Sequence, residues 1–81
     1  PDKHMLTKQE EMFEAVMMGL RLREGINKQT FYNRFHEELH MRYEQAIIKH
    51  VRLGNLIEDE KRLYTSYQGM LILHDILIDF L

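Results

Sequence analysis

The chain has 81 residues, of which 44% are hydrophobic and 30% are charged, as in an ordinary globular domain. Its 11 basic and 13 acidic side chains give a formal net charge of −2, so no broad positive field is present that would attract a polyanion such as nucleic acid. There is no cysteine, which excludes a disulfide framework, a thiolate zinc site and a cysteine-bound iron–sulfur cluster within these residues.

The length predicts one domain over residues 1–81 with a single hydrophobic core. No stretch approaches the roughly 18 apolar residues of a membrane helix, and the first residues lack the basic-then-apolar pattern of a signal peptide. Together with the lack of cysteine, these features predict a cytoplasmic protein. Because the chain starts at Pro1 and stops within an apolar run, we expect it to be a fragment of a larger protein.

The first predicted helix follows Thr7, which forms a capping box with Glu10. Gly25 predicts the end of this helix, and Arg21 and Arg23 are expected in its last turns, where positive charge suits the helix dipole. The apolar residues of the helix recur at the spacing of one buried face: Met12, Phe13, Val16, Met17 and Leu20.

Two further helices are predicted between residues 27 and 54. Asn27 can cap a short second helix, whose apolar stripe is Phe31, Phe35 and Leu39. A break is expected near residues 36–40. The third helix ends at Gly54, a residue that favours left-handed backbone, and its apolar positions are Tyr43, Ala46, Ile47, Ile48 and Val51.

A small β-hairpin is predicted where two short pieces, Leu56–Glu58 and Arg62–Tyr64, flank the polar residues 59–61. Thr65 or Ser66 then caps a last helix that runs to the end of the chain. Three helices, a hairpin wing and a long C-terminal helix in this order predict a mainly α, winged-helix-like fold.

The winged-helix order makes DNA binding the alternative function, because the third helix of such domains enters the major groove. The charges disfavour it, since the wing carries Glu58, Asp59 and Glu60 where phosphates would approach. A winged-helix DNA-binding regulator therefore stays as the second hypothesis, and no nucleic-acid partner is predicted.

No catalytic residue, cofactor-binding residue or metal ligand is predicted in this chain. His36 and His40 have the spacing of one helical face, but no third ligand of fixed spacing lies near them, so we interpret both as solvated or capping residues. His50 and His74 are interpreted as boundary histidines whose rings pack and whose nitrogens reach water. Met18 lies on the polar side of the first helix and weakly indicates a contact surface.

The last predicted helix is apolar on nearly all sides, which a domain of this size cannot shield alone. Either another domain or a second copy of the chain is expected to cover it, and a central position in a small fold is the alternative. Its apolar residues are Met70, Leu71, Ile72, Leu73, Ile76, Leu77, Ile78, Phe80 and Leu81.

The most specific motif is the run G-L-R-L-R-E-G-I at residues 19–26. It is followed by Phe31, Phe35, Tyr43, Gly54, Leu56 and the stretch 69–81. With these residues the chain resembles, over nearly its whole length, the C-terminal domain of oxygen-independent coproporphyrinogen III oxidase-like (HemN/HemW-type) radical SAM proteins. Two positions depart from the usual pattern: His36 stands in place of a glycine, and Ser66 stands where a threonine usually precedes the last helix.

The resemblance implies that the full-length parent carries a radical S-adenosylmethionine barrel with a [4Fe-4S] cluster and acts in porphyrin and haem metabolism. These cofactors belong to the barrel, so this fragment alone is not expected to be an enzyme, whereas the parent would carry the name of an oxidoreductase. The run at residues 19–26 is closer to the haem-chaperone branch than to the decarboxylating oxidases.

We hypothesise that the domain braces the barrel and that its last helix docks on it. The residues expected at the contact between the domains are Arg21, Arg23, Ile72 and Ile76. The resemblance also raises the hypothesis that Arg21 or Arg23 faces a propionate of a porphyrin substrate.

Overall fold

The computed structural model describes residues 6–81, so the first five residues of the predicted domain lie outside the described part. The elements in chain order are α1 (Lys8–Leu20), β1 (Ile26–Asn27), α2 (Lys28–Phe35), α3 (Leu39–Arg42), α4 (Glu44–Arg52), β2 (Leu56–Glu58), β3 (Arg62–Thr65), α5 (Tyr67–Leu71) and α6 (Leu73–Asp79). A mainly helical fold with a small hairpin and helix at the C-terminal end is confirmed. From Leu6 onward, no helix is both long enough and apolar enough to cross a membrane.

Helix α1 begins at the predicted capping box. The hydroxyl of Thr7 accepts from the backbone N–H of Glu10 at 3.1 Å, and the Glu10 carboxylate accepts from the backbone N–H of Thr7 at 2.8 Å. The helix ends at Leu20, earlier than predicted, because the chain turns over residues 21–24 to reach β1. Arg21 is the C-cap residue and Arg23 lies beyond it, so the expectation that both lie in the last helical turns was wrong.

The three strands form one antiparallel sheet in the order β1-β3-β2. The predicted hairpin is confirmed as β2 and β3, with Ile57 paired to Tyr64. Its turn is held by Asp59, whose carboxylate accepts from the backbone N–H groups of Lys61 at 2.8 Å and Arg62 at 2.7 Å. Strand β1 was not predicted, since two residues are too short to show an alternating pattern.

The core lies between α1, the inner face of the sheet, and the inward faces of α2, α4 and α6. Paired residues of β1 and β3, Ile26 and Leu63, both point inward, as does Leu56 of β2. The remaining buried apolar side chains come from the helices and the ends next to them: Met12, Val16, Leu20, Phe31, Phe35, Leu39, Tyr43, Ala46, Ile47, Ile76, Leu77 and Phe80. Every predicted element therefore contributes to one core.

Two predicted helices are interrupted. The third is preceded by the short α3 and a break at Tyr43 (φ −123°, ψ 37°), and the C-terminal helix is divided into α5 and α6 at Ile72 (φ −123°, ψ 32°). The expected break near residues 36–40 is confirmed, since α2 ends at Phe35 and α3 begins at Leu39. Neither Tyr43 nor Ile72 is a glycine or proline, so the sequence carries no breaker at these points.

His36 closes α2 in the left-handed region (φ 60°, ψ 31°), and its N–H donates to the carbonyl of Tyr32 at 2.7 Å. Among residues 6–81, His36 is the one non-glycine residue with a positive φ. A residue with a Cβ pays a steric cost in this conformation that glycine does not. The resemblance described above implies a glycine at this position, which would avoid that cost.

The substitution His36→Gly is expected to raise the free energy of unfolding by about 1 kcal/mol, because it removes the Cβ from a left-handed cap. The control His36→Ala keeps the Cβ and loses the same ring, so it should give no gain. Urea unfolding followed by circular dichroism measures both. An equal gain for alanine and glycine would show that the ring, and not the backbone, carries the cost.

Candidate functional site

The turn after α1 presents three exposed side chains with no packing role. Arg21, Leu22 and Arg23 are all exposed, and Leu22 is exposed by 56%. Among residues 6–81, neither guanidinium has a hydrogen-bond or ion-pair partner. A leucine between two unpaired arginines contributes nothing to the core, so this turn is a candidate contact site.

The glycines of the run at residues 19–26 explain why the turn projects. A Cβ on Gly19 would lie 2.5 Å from Cγ1 of Ile26. Gly25 has φ 74°, and a Cβ there would overlap Leu63 and Tyr64 of β3. The two ends of the run are therefore held tightly against the fold, and the residues between them are pushed outward.

Helix α5 carries a second exposed apolar group. Its N-cap Ser66 accepts from the N–H of Gly69 at 3.0 Å, and Gly69 packs directly on the backbone of Asn55, so this side of the helix is fixed inward. The outward residues are apolar and exposed by large fractions: Tyr67 82%, Met70 39%, Leu71 69% and Ile72 39%. Exposed apolar side chains this closely spaced are typical of a surface that another protein part covers.

Thr65 joins these two groups. Its hydroxyl lies 3.5 Å from the carbonyl of Leu20, the residue before Arg21, and 3.9 Å from the sulfur of Met70. The turn and α5 therefore lie side by side. We call the combined feature the tip–α5 surface, which consists of Arg21, Leu22, Arg23, Tyr67, Met70, Leu71 and Ile72.

The four residues predicted at a contact between domains are not equally placed. Arg21, Arg23 and Ile72 are exposed on the tip–α5 surface. Ile76 is 0% exposed, because α6 points it into the core beside Phe80. The expectation that Ile76 touches another domain was therefore wrong. Met18, which weakly indicated a contact surface, is 58% exposed.

His50 lies at the centre of a polar network that joins α4 to α6 and to the turn before β2. His50 is 3% exposed, and its Nε2 lies 2.7 Å from Asp79 while its Nδ1 lies 2.9 Å from the amide nitrogen of Asn55. The interpretation of His50 as a boundary histidine that reaches water was wrong, since both ring nitrogens have protein partners. Hydrogen bonds from Lys49 and then His50 lower the pKa of Asp79 below its usual range, so the carboxylate is ionised.

His40 takes part in a separate ion-pair cluster. Its Nδ1 lies 2.8 Å from Glu58, and Nζ of Lys28 lies 3.0 Å from the same carboxylate. Burial opposes the charge of Glu58, but the hydrogen bonds from His40 and Lys28 outweigh it and lower the pKa of Glu58. His36 lies at the left-handed cap and does not join His40, and residues 6–81 contain no group of three potential ligands for a metal ion.

The substitution Gly25→Ala is expected to lower the free energy of unfolding by at least about 2 kcal/mol, because the new Cβ would overlap β3. The matched control is Gly54→Ala, which also has positive φ (81°) but whose nearest contact would be an ordinary 3.7 Å from Gln68. It should cost about 1 kcal/mol. Urea unfolding compares the two, and equal losses would show that the contact with β3 does not hold the turn.

The substitution Glu58→Gln is expected to lower the free energy of unfolding by about 1 kcal/mol near neutral pH, since it weakens bonds to His40 and Lys28. The folded pKa of Glu58 lies below its usual 4.5, so its contribution is present above that pH and is lost as the pH falls through the folded pKa. Unfolding curves measured from about pH 7 to about pH 3 should therefore converge with wild type at the acid end. The control Glu60→Gln changes an exposed residue and should leave the free energy of unfolding near neutral pH unchanged.

The comparison with protein families gives one match: the family model of the HemN C-terminal domain matches residues 6–72. No curated protein and no solved structure matches the chain. The matched range includes the whole run at residues 19–26, the hairpin and α5. The chain therefore belongs to the HemN C-terminal domain family.

Proposed function

We propose that this chain is the accessory C-terminal domain of an oxygen-independent coproporphyrinogen III oxidase-like protein and that it packs on that protein's radical S-adenosylmethionine barrel through the tip–α5 surface. Membership of the HemN C-terminal domain family supports the first part. The observation that carries the second is the row of exposed apolar residues on α5 beside Arg21 and Arg23, which have no partner among residues 6–81.

The energetics favour a covered surface. Burying one leucine or isoleucine side chain contributes roughly 1.5–3 kcal/mol, and the α5 side chains all retain much of their accessible area in the chain by itself. A helix of five residues is not stable in isolation and depends on packing against the rest of the protein. Contact with the barrel would add to this packing and bury Tyr67 and Leu71, the two most exposed residues of α5.

The two arginines would lie at the edge of this contact. A guanidinium binds a carboxylate through two parallel hydrogen bonds. Arg21 and Arg23 flank the apolar Leu22, so the surface fits a partner with an apolar centre and acidic groups at its edge. A propionate of a porphyrin substrate bound at the joint offers the same carboxylate chemistry, and the proposal includes it as the second possible ligand of this pair.

The cofactors belong to the barrel in this proposal. The [4Fe-4S] cluster needs cysteine ligands, which this chain lacks, and S-adenosylmethionine binds at that cluster. The form of the run at residues 19–26 supports a parent of the haem-chaperone type. A cytoplasmic location is part of the same proposal and rests on the lack of cysteine.

The surface of α3 and α4 disfavours the alternative of DNA binding. Lys49 of α4 pairs with Asp79 at 2.8 Å, and Arg42 of α3 lies 3.6 Å from Glu37, so two of the cations that would meet phosphates are already paired. Helix α4 also exposes Ile48 and Val51. These features support a role without nucleic acid.

The test uses the full-length parent with Leu71→Asp or Leu22→Asp. Each introduces a charge on the tip–α5 surface without touching the core, so the domain should stay folded while docking weakens. Limited proteolysis is expected to separate the two domains at least about 10-fold faster than in wild type, which corresponds to about 1.4 kcal/mol.

The matched control is Met41→Asp, which changes an apolar residue of similar exposure (65%) on α3. It should leave the rate of cleavage unchanged. Wild-type protection of both Leu71→Asp and Leu22→Asp would contradict docking through this surface. Ile76 is unsuitable for such a test, because its replacement would damage the core.

A further inference from the structure

We propose that the hydrogen-bond chain Gln68–Asn55–His50–Asp79, whose two central residues are buried, is a proton-sensitive latch, in which protonation of His50 releases the start of α5 from the end of α4. Gln68 belongs to α5, Asn55 to the turn before β2, His50 to α4 and Asp79 to α6. The hydrogen bonds therefore cross the part of the fold that supports the tip–α5 surface. His50 and Asn55 are each 3% exposed, which shields the centre of the chain from water.

The backbone carbonyl of Leu53 fixes which group donates and which accepts at each step of the hydrogen-bond chain. Nε2 of Gln68 lies 2.9 Å from the carbonyl of Leu53 and 2.8 Å from Oδ1 of Asn55. A carbonyl can only accept, so Gln68 must present its NH₂ group, and Asn55 must present its oxygen to Gln68. The NH₂ group of Asn55 is then left to donate to Nδ1 of His50 at 2.9 Å.

This direction sets the state of His50. Because Nδ1 accepts from Asn55, the ring proton lies on Nε2, from which it is donated to Asp79 at 2.7 Å. All four hydrogen bonds are therefore satisfied only with neutral His50 in this one tautomer. No buried polar side-chain atom of residues 6–81 is left without a partner in this arrangement.

Protonation of His50 breaks the pattern. A proton on Nδ1 would face the NH₂ group of Asn55, which is two donors in contact. Rotating the amides of Asn55 and Gln68 would repair that contact, but it would turn the oxygen of Gln68 towards the carbonyl of Leu53. Each arrangement with protonated His50 therefore loses at least one hydrogen bond: the bond between Asn55 and His50 if the amides keep their orientation, or a bond of Gln68 of α5 if they rotate.

The charged groups that face His50 lie on the side of its Nε2 atom. Asp79 of α6 faces Nε2 and attracts a positive ring, while Lys49 of α4 lies 2.8 Å from the same carboxylate oxygen and offsets part of that attraction. The turn at residues 53–55 and α5 contribute only amide groups. A positive His50 ring would thus have a carboxylate partner at Nε2 and two donors in contact at Nδ1.

Release of α5 would loosen Tyr67, Met70 and Leu71 together, because the short helix is anchored at its start by Ser66 and Gln68. Acidification would then weaken docking through the tip–α5 surface. This consequence rests on the proposed function, whereas the latch itself depends only on contacts within the chain.

The test measures the 81-residue chain alone by NMR, from about pH 8 to about pH 5, the range in which histidines titrate. Ring nitrogen shifts of His50 at the upper end should show the tautomer with the proton on Nε2. Amide exchange of Gly69 and Met70, corrected for its intrinsic pH dependence, should lose at least about 10-fold of its protection relative to α1 as His50 titrates. A proton on Nδ1 near pH 8, or unchanged relative protection, would overturn the proposal.

Variants separate this latch from general acid loosening. In Asn55→Asp the carboxylate can accept from both Gln68 and a protonated His50, so acidification should no longer reduce the protection of α5. His50→Gln cannot titrate and should remove the pH response, whereas the control His40→Gln should keep it. Retention of the full response in His50→Gln would overturn the latch. Because the chain is measured without a barrel, a failure here is distinct from a failure of docking.

Discussion

The contact between Asn55 and Gly69 is the constraint on which the second half of the fold depends. The backbone N–H of Asn55 donates to His50 at the end of α4, and its carbonyl accepts from Ser66 at 3.1 Å while Gly69 packs against it. A side chain at residue 69 would push the two segments apart. One buried residue therefore fixes the end of α4, the entry to β2 and the start of α5 relative to one another.

This constraint also explains the character of the exposed surface. With Gly69 held inward, the helical repeat turns Tyr67, Met70 and Leu71 outward, where the domain has nothing to cover them. The turn after α1 is held in the same way by glycines that approach Ile26 and β3. Both halves of the tip–α5 surface are thus rigidly supported from behind, and rigid support lowers the entropy that docking would cost.

The parts of the fold that could be predicted are those with local signals. The capping box at Thr7 and Glu10 and the polar turn of the hairpin use residues only a few positions apart, and both are confirmed. Strand β1 is a strand only through its pairing with β3, which lies more than thirty residues later. The breaks at Tyr43 and Ile72 likewise depend on packing, because neither residue is a helix breaker by itself.

In the candidate site, too, some features have a local signal in the sequence and others depend on packing. The excess of apolar residues near the end of the chain predicted a surface that another domain or a second copy covers, and the family resemblance led to the hypothesis that Arg21 and Arg23 lie at a contact between domains. A single straight helix could not show that Ile72 lies outside and Ile76 inside, since the break at Ile72 decides this. The partnership of His50 and Asp79 joins residues 29 positions apart, and no spacing rule in the sequence indicates it.

The family match and the folded core end at different places in the sequence. The family match ends at residue 72, where the C-terminal helix breaks, yet Ile76, Leu77 and Phe80 of the following segment are buried in the core, and the ring of Phe80 lies 5.1 Å from that of Tyr43. A polypeptide cut at the boundary of the family would leave a hollow beside α4 and remove the carboxylate that faces His50. The matched range is therefore shorter than the unit that folds, since residues 73–81 supply Ile76, Leu77 and Phe80 to the core.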